Sequence, residues 1–117
     1  MSILIIEDEL NIRRFVSINL KARGYIVNEA GTGADGLQHL RDARPQVLIL
    51  DMMLPDMTGW QILEVMAHED DLKTIPVILM TASVQLGDHI KYPNVVKHVI
   101  KPASVNTLLE AVQNVVD

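Results

Sequence analysis

The 117-residue chain contains no cysteine. Disulfides and thiolate metal sites are therefore excluded. Aromatic residues make up only 3% of it, while 49% of its residues are hydrophobic, so its core has to be aliphatic, built of Ile, Leu, Val and Met. No apolar run approaches the roughly 18 residues that a membrane span needs. The start, Met1 to Asp8, lacks a basic region, and its apolar run is too short for a signal peptide. A cytoplasmic location without a membrane partner is the expectation. Basic residues are few: 10 Lys and Arg stand against 15 Asp and Glu, a net charge of −5. A nucleic-acid surface needs clustered positive charge, so no direct contact with nucleic acid is expected. No linker, repeat or low-complexity stretch divides the chain. Residues 1–117 read as one domain, near the usual size of roughly 100–150 residues, either standing alone or excised from a longer protein.

What is present is an alternation of short apolar runs and amphipathic stretches, the pattern of βαβ units. Strands are predicted at 2–6, 26–29, 47–50, 77–80 and 96–100. Helices are predicted at 10–23, 34–42, 60–69, 84–91 and 105–116. Gly24 stops the first helix, and Pro45 bars continuation of the second. Ile12, Phe15, Val16 and Leu20 form the predicted inner face of the first helix. Leu37 and Leu40 play that part in the second, Ile62, Leu63 and Met66 in the third, and Leu108, Leu109, Val112 and Val116 in the fifth. Ser104 is the N-cap expected for the fifth helix. Met52, Met57, Met66 and Met80 read as packing or loop residues, and His39, His68 and His89 as surface residues without a ligand partner.

Chemistry is concentrated where the apolar runs end. Ile3–Ile6 runs into Glu7-Asp8-Glu9, and Val47–Leu50 into Asp51-Met52-Met53-Leu54-Pro55-Asp56-Met57-Thr58-Gly59. Val77–Met80 runs into Thr81-Ala82-Ser83, and Val99-Ile100 into Lys101-Pro102. A run buried on both faces belongs in a parallel sheet, and open α/β sheets bind ligands at the carboxyl ends of their strands. Three carboxylates, a hydroxyl and an ammonium on neighbouring strand ends suit a divalent metal and a phosphoryl group. Carboxylates brought together repel unless a cation lies between them. Mg²⁺, which takes oxygen ligands and phosphate oxygens, is the natural choice, with Mn²⁺ as an alternative. Glu9 reads instead as a helix-opening acid.

An acidic pair, then Asp-x-x-x-Pro-x-x-x-Gly, then Thr-Ala, then Lys-Pro, each at a strand end, resembles the receiver domain of two-component response regulators over essentially the whole chain. The resemblance implies a flavodoxin-like, doubly wound (βα)5 fold with a five-stranded parallel sheet in the order 2-1-3-4-5. It implies a phosphorylation-activated signalling switch rather than a metabolic enzyme. Asp51 would accept a phosphoryl group from a sensor histidine kinase or histidine phosphotransfer protein, and the domain would catalyse that transfer and its own dephosphorylation. Asp8 and Asp51 would bind the metal directly, Met53 through its backbone carbonyl and Glu7 through a water. Lys101 and Thr81 would contact the phosphoryl group, with Ala82, Ser83 and the Met53 side chain beside it. Pro102 would follow a cis bond. Thr81 and the residue three before Lys101 would form the switch.

The chain departs from the family in two places. Lys91-Tyr92-Pro93-Asn94 replaces the usual turn before the fifth strand, and the fourth-helix region is shorter. His98 occupies the switch position normally held by Tyr or Phe. Both changes fall on the face of helix 4, strand 5 and helix 5, through which an output domain, a downstream protein or a homodimer partner would be engaged. The alternative function is a degenerate receiver acting as a phosphorylation-independent interaction module. A phosphohydrolase of the haloacid-dehalogenase type also uses an aspartyl nucleophile, but it wants a second Asp where Met53 stands.

Overall fold

The computed structural model describes residues 2–81, 92–101 and 105–116. Its elements, in chain order, are β1 (Ser2–Ile6), α1 (Leu10–Ala22), β2 (Ile26–Ala30), α2 (Gly33–Ala43), β3 (Val47–Asp51), α3 (Gly59–Ala67), β4 (Val77–Thr81), β5 (Val95–Ile100) and α4 (Val105–Val116). The helix predicted at 84–91, Ser104, Pro102 and His89 lie outside the described residues. All strand pairs are parallel, in the order β2-β1-β3-β4-β5. This is the flavodoxin-like order.

The three central strands are buried on both faces, and alternate side chains feed two cores. Leu4, Ile6, Leu48, Leu50, Val77 and Leu79 meet α2 and α3 through Leu37, Leu40, Ile62, Leu63 and Met66. Ile3, Ile5, Val47, Ile49, Ile78 and Met80 meet α1 and α4 through Val16, Leu20, Leu108, Leu109 and Val112. Each such buried aliphatic side chain contributes about 1.5–3 kcal/mol relative to exposure. The continuous apolar runs are thus explained by a sheet with helices on both sides.

The helices begin where side chains satisfy orphan N–H groups. Glu9 caps α1, accepting from the Asn11 N–H at 3.0 Å. Thr32 caps α2, accepting from the Asp35 N–H at 3.1 Å. Thr58 and Gln61 form a reciprocal capping box on α3. Gly24, with φ +93°, ends α1 in the left-handed region, as the sequence suggested.

The inner face of α1 differs from expectation. Val16, Ser17 and Leu20 are buried, whereas Ile12 and Phe15 are exposed, Phe15 to 58%. Six apolar residues are spread too widely around this helix to share one seam, and the seam runs through Val16 and Leu20. The segment that departs from the family has packing of its own. Tyr92 stacks on Trp60, with ring centroids 6.1 Å apart and planes at 23°, and donates its hydroxyl to Glu64 at 2.7 Å.

Gly36 lies where α2 crosses β1. A Cβ there would stand 2.3 Å from Ile6 Cδ1 and 2.8 Å from Ile6 Cγ1. Although alanine is the better helix former, Gly36→Ala should destabilise the fold by about 1–3 kcal/mol through overpacking. Urea unfolding measures this; a stabilised variant would show that Ile6 relaxes without cost.

Candidate functional site

The sheet order sets out the chemical residues in a row. Asp51 closes β3, with Glu7 just past β1 on one side and Thr81 closing β4 on the other. Lys101 follows β5. Register holds these ends level: Ile6 pairs with Leu50, Asp51 with Met80 and Thr81 with Ile100. Three strand spacings of about 4.8 Å separate β5 from β1, a gap that only long side chains cross. Lys101 crosses it. Its Nζ lies 2.6 Å from Glu7 Oε1 and 3.0 Å from Asp51 Oδ2.

Glu7 is fully buried and Asp51 is 3% exposed, whereas Asp8 is exposed at the rim. The remaining oxygens are engaged by backbone. Glu7 Oε2 accepts from the Glu9 N–H at 3.2 Å, and Asp51 Oδ1 from the Met53 N–H at 3.2 Å. Arg13, which the sequence reading passed over, donates to the Glu7 carbonyl at 2.8 Å and pairs with Glu29 at 3.1 Å. It ties the acidic turn to α1 and β2. Nothing in its local sequence sets it apart from a surface arginine of an amphipathic helix.

Carboxylate oxygens of Glu7, Asp8 and Asp51 lie within 4.8 Å of one another. An all-oxygen donor set with two buried acids and a third opening to solvent fits a hard divalent cation that keeps part of its water shell. Part of the positive charge that these neighbouring acids require comes from the protein itself, because the Lys101 ammonium lies between Glu7 and Asp51. Thr81 is buried at the end of β4, and its carbonyl accepts from the Lys101 N–H at 2.7 Å. Met53 has its side chain 71% exposed, off the core. His98 is half-buried on β5 opposite Leu79. Ala82 and Ser83 lie outside the described residues. His68 is exposed and His39 half-buried, and neither joins the acidic group.

Gly59 is required for lack of space beside it and not for a left-handed backbone. The only positive-φ glycine among the described residues is Gly24. At Gly59 a Cβ would lie 2.7 Å from the Met52 sulfur, 3.0 Å from Met52 Cα and 3.1 Å from the Asp51 carbonyl, and the last two are backbone that cannot give way. The loop after Asp51 folds back this tightly because the Gly59 N–H donates to the Met52 carbonyl at 2.9 Å.

A family model for the response regulator receiver domain matches residues 3–113. The chain belongs to this family. The polar-differentiation response regulator DivK of Brucella anthropi is 31% identical to the receiver over 116 residues, 97% of this chain and 94% of that protein. The transcriptional regulatory protein AfsQ1 of Streptomyces coelicolor is 40% identical over 81 residues, 69% of this chain but 35% of that longer protein. Among solved structures, the chemotaxis response regulator CheY4 of Vibrio cholerae superposes on the receiver with a TM-score of 0.84 at 28% identity, covering 97% of each chain. No helix among the receiver's described residues is long and apolar enough to cross a membrane.

Burial, and next to it the neighbouring Asp51 carboxylate, raise the Glu7 pKa from 4.5 to about 7, against the pull of Lys101. Burial disfavours the Lys101 ammonium, but its bonds to Glu7 and Asp51 together outweigh this and raise its pKa. A carboxyl that holds its proton more tightly when folded makes the native state bind more protons than the unfolded chain. Stability therefore falls as pH rises between these two values. In the metal-free protein, urea midpoints should decline from pH 4.5 to about 7, and Glu7→Gln should flatten the decline. Equal slopes in the two proteins would mean that Glu7 is ionised throughout.

Proposed function

We propose that the receiver is a phosphorylation-driven switch in which Asp51 takes a phosphoryl group from the phosphohistidine of a sensor kinase or phosphotransfer protein. One observation carries this reading: the Asp51 carboxylate lies at a strand end with Lys101 at 3.0 Å and the Glu7 and Asp8 oxygens within 4.8 Å. A carboxylate oxygen of Asp51 attacks phosphorus and forms a P–O bond. The P–N bond of the phosphohistidine breaks, and the imidazole nitrogen leaves with the electron pair. The product is an acyl phosphate, a covalent intermediate of a known type.

The protein contributes chiefly position and charge. The Met53 N–H orients one oxygen of Asp51. Lys101 already lies on the other, and its ammonium moves from carboxylate to phosphoryl oxygen as charge gathers there. Thr81, at the end of the next strand, offers its hydroxyl to the same group. Asp8, Asp51 and the Met53 carbonyl would hold Mg²⁺, with Glu7 behind a water. When bound, the ion would neutralise phosphoryl oxygens. Mn²⁺ suits the same oxygen ligands. Return to the resting state is hydrolysis, with water attacking phosphorus and Asp51 leaving as carboxylate.

The output face lies along the edge strand β5 and α4. Val96 and Ile100 expose half of their side-chain surface there, which suits contact with an output domain, a downstream protein or a second copy of the chain. His98, three residues before Lys101, is the switch residue facing this region, coupled to Thr81. The 117 residues act as one receiver domain.

Incubation with acetyl phosphate and Mg²⁺ should raise the intact mass by one phosphoryl group, and chelation should abolish the gain. Asp51→Asn should remain unlabelled; labelling equal to the parent would overturn the assignment and leave a phosphorylation-independent interaction module. Asp8→Ala, which removes a direct ligand, should weaken Mg²⁺ binding by at least the roughly 10–100-fold that loss of a supporting group of a metal site costs, while Glu9→Ala stays near the parent. Equal losses, read by calorimetric titration, would reduce the acids to helix-end charges.

A further inference from the structure

The loop from Met52 to Thr58 is held at both ends of its length. At its base, Met53 and Thr58 form an antiparallel bridge and the Gly59 N–H bonds the Met52 carbonyl. At its tip, Asp56 reaches to the start of α2. Its Oδ1 accepts from the Gly33 N–H at 2.8 Å and its Oδ2 from the Ala34 N–H at 2.9 Å. These are two of the donors that a helix start leaves without intrahelical partners, and Thr32 serves the next, that of Asp35. A carboxylate at that position is also favoured by the helix dipole, and the bonds to Gly33 and Ala34 hold the Asp56 pKa below its ordinary value.

Met57 completes the joint. A Cβ on Gly33 would lie 2.3 Å from Met57 Cγ and 2.6 Å from its sulfur, so the thioether occupies the space that glycine leaves. Met53 itself stands at the base, and its N–H orients Asp51 Oδ1.

We propose that Asp56 is a positioning residue: by clamping the loop tip to the first turn of α2, it fixes the Met53 backbone against Asp51 and so sets the geometry for metal binding and phosphoryl transfer. The proposal rests on the receiver reading above and adds a residue that touches neither metal nor phosphate. An aspartate in a Pro-Asp turn ordinarily bonds its own local backbone. Here, besides the local backbone of Asp56 and Met57, both oxygens engage amides more than twenty residues away in sequence.

The test compares the parent with Asp56→Ala, Asp56→Asn and Asp35→Asn. The last removes one charge from the same helix turn without touching the loop. Asp56→Ala should remain folded, bind Mg²⁺ about tenfold more weakly, in the range seen when supporting groups of a metal site are lost, and label more slowly with acetyl phosphate at subsaturating Mg²⁺. Asp56→Asn keeps one acceptor oxygen and should fall between Asp56→Ala and the parent. Asp35→Asn should match the parent. Amide exchange, measured without phosphodonor, should be faster at Gly33, Ala34 and Met53 in Asp56→Ala. Parent-like Mg²⁺ affinity and unchanged Met53 exchange would overturn the clamp, whatever the melting temperature. If Asp56→Ala does not fold, Asp56→Asn decides by the same measures; failure of both to fold would make Asp56 a structural residue only. A parent that takes no phosphate would instead contradict the receiver reading, and Met53 exchange would still judge the clamp.

Discussion

Two carboxylates, Glu7 and Asp51, are buried side by side at the ends of adjacent strands, and Lys101 binds both. Burying such a group is costly, and its partner only partly offsets the cost. Well-packed apolar residues in place of such a buried pair are often neutral or stabilising. The proposed phosphoacceptor role would account for that cost, since Lys101 holds Glu7 and Asp51 together at the sheet edge. The raised pKa of Glu7 follows from the same crowding, and strongly perturbed groups gather at functional sites.

The fold makes that crowding possible. A parallel sheet puts all its carboxyl ends on one edge, and the order β2-β1-β3-β4-β5 makes β1, β3, β4 and β5 consecutive. Residues separated by 94 positions, Glu7 and Lys101, thereby come within 2.6 Å. The buried aliphatic strands supply rigidity, and the chemistry stands one residue beyond it. Backbone ties extend that rigidity outward. Arg13 holds the acidic turn, and Asp56 holds the tip of the loop that follows Asp51.

Much of this was legible in the sequence because it depends on local pattern. The runs Val47–Leu50 and Val77–Met80, short and bounded by polar residues, read as strands buried on both faces, and Gly24 and Pro45 mark helix ends by their backbone preferences. The polar residues after those runs point to the edge where ligands bind. Other features escaped because they depend on what distant segments do. Ile12 and Phe15 fit the helical period of α1, yet the seam is chosen by how α1 lies on β1 and β2. Gly59 stands in the motif as a bare letter, and its constraint is the closeness of the Met52 and Asp51 backbone. The double contact of Lys101, the brace of Arg13 and the reach of Asp56 to α2 arise from tertiary proximity, which no spacing records.

Which atom carries the phosphoryl group decides whether Asp51 is the phosphoacceptor. Borohydride reduces an acyl phosphate to an alcohol, which would convert a phosphorylated Asp51 into homoserine, and peptide sequencing by tandem mass spectrometry would locate it. After treatment with a phosphodonor and Mg²⁺, homoserine is expected at position 51 and at no other acidic residue. Homoserine at Asp8, 5-hydroxynorvaline at Glu7, or phosphate recovered on a histidine or hydroxyl side chain with Asp51 unmodified, would contradict this assignment.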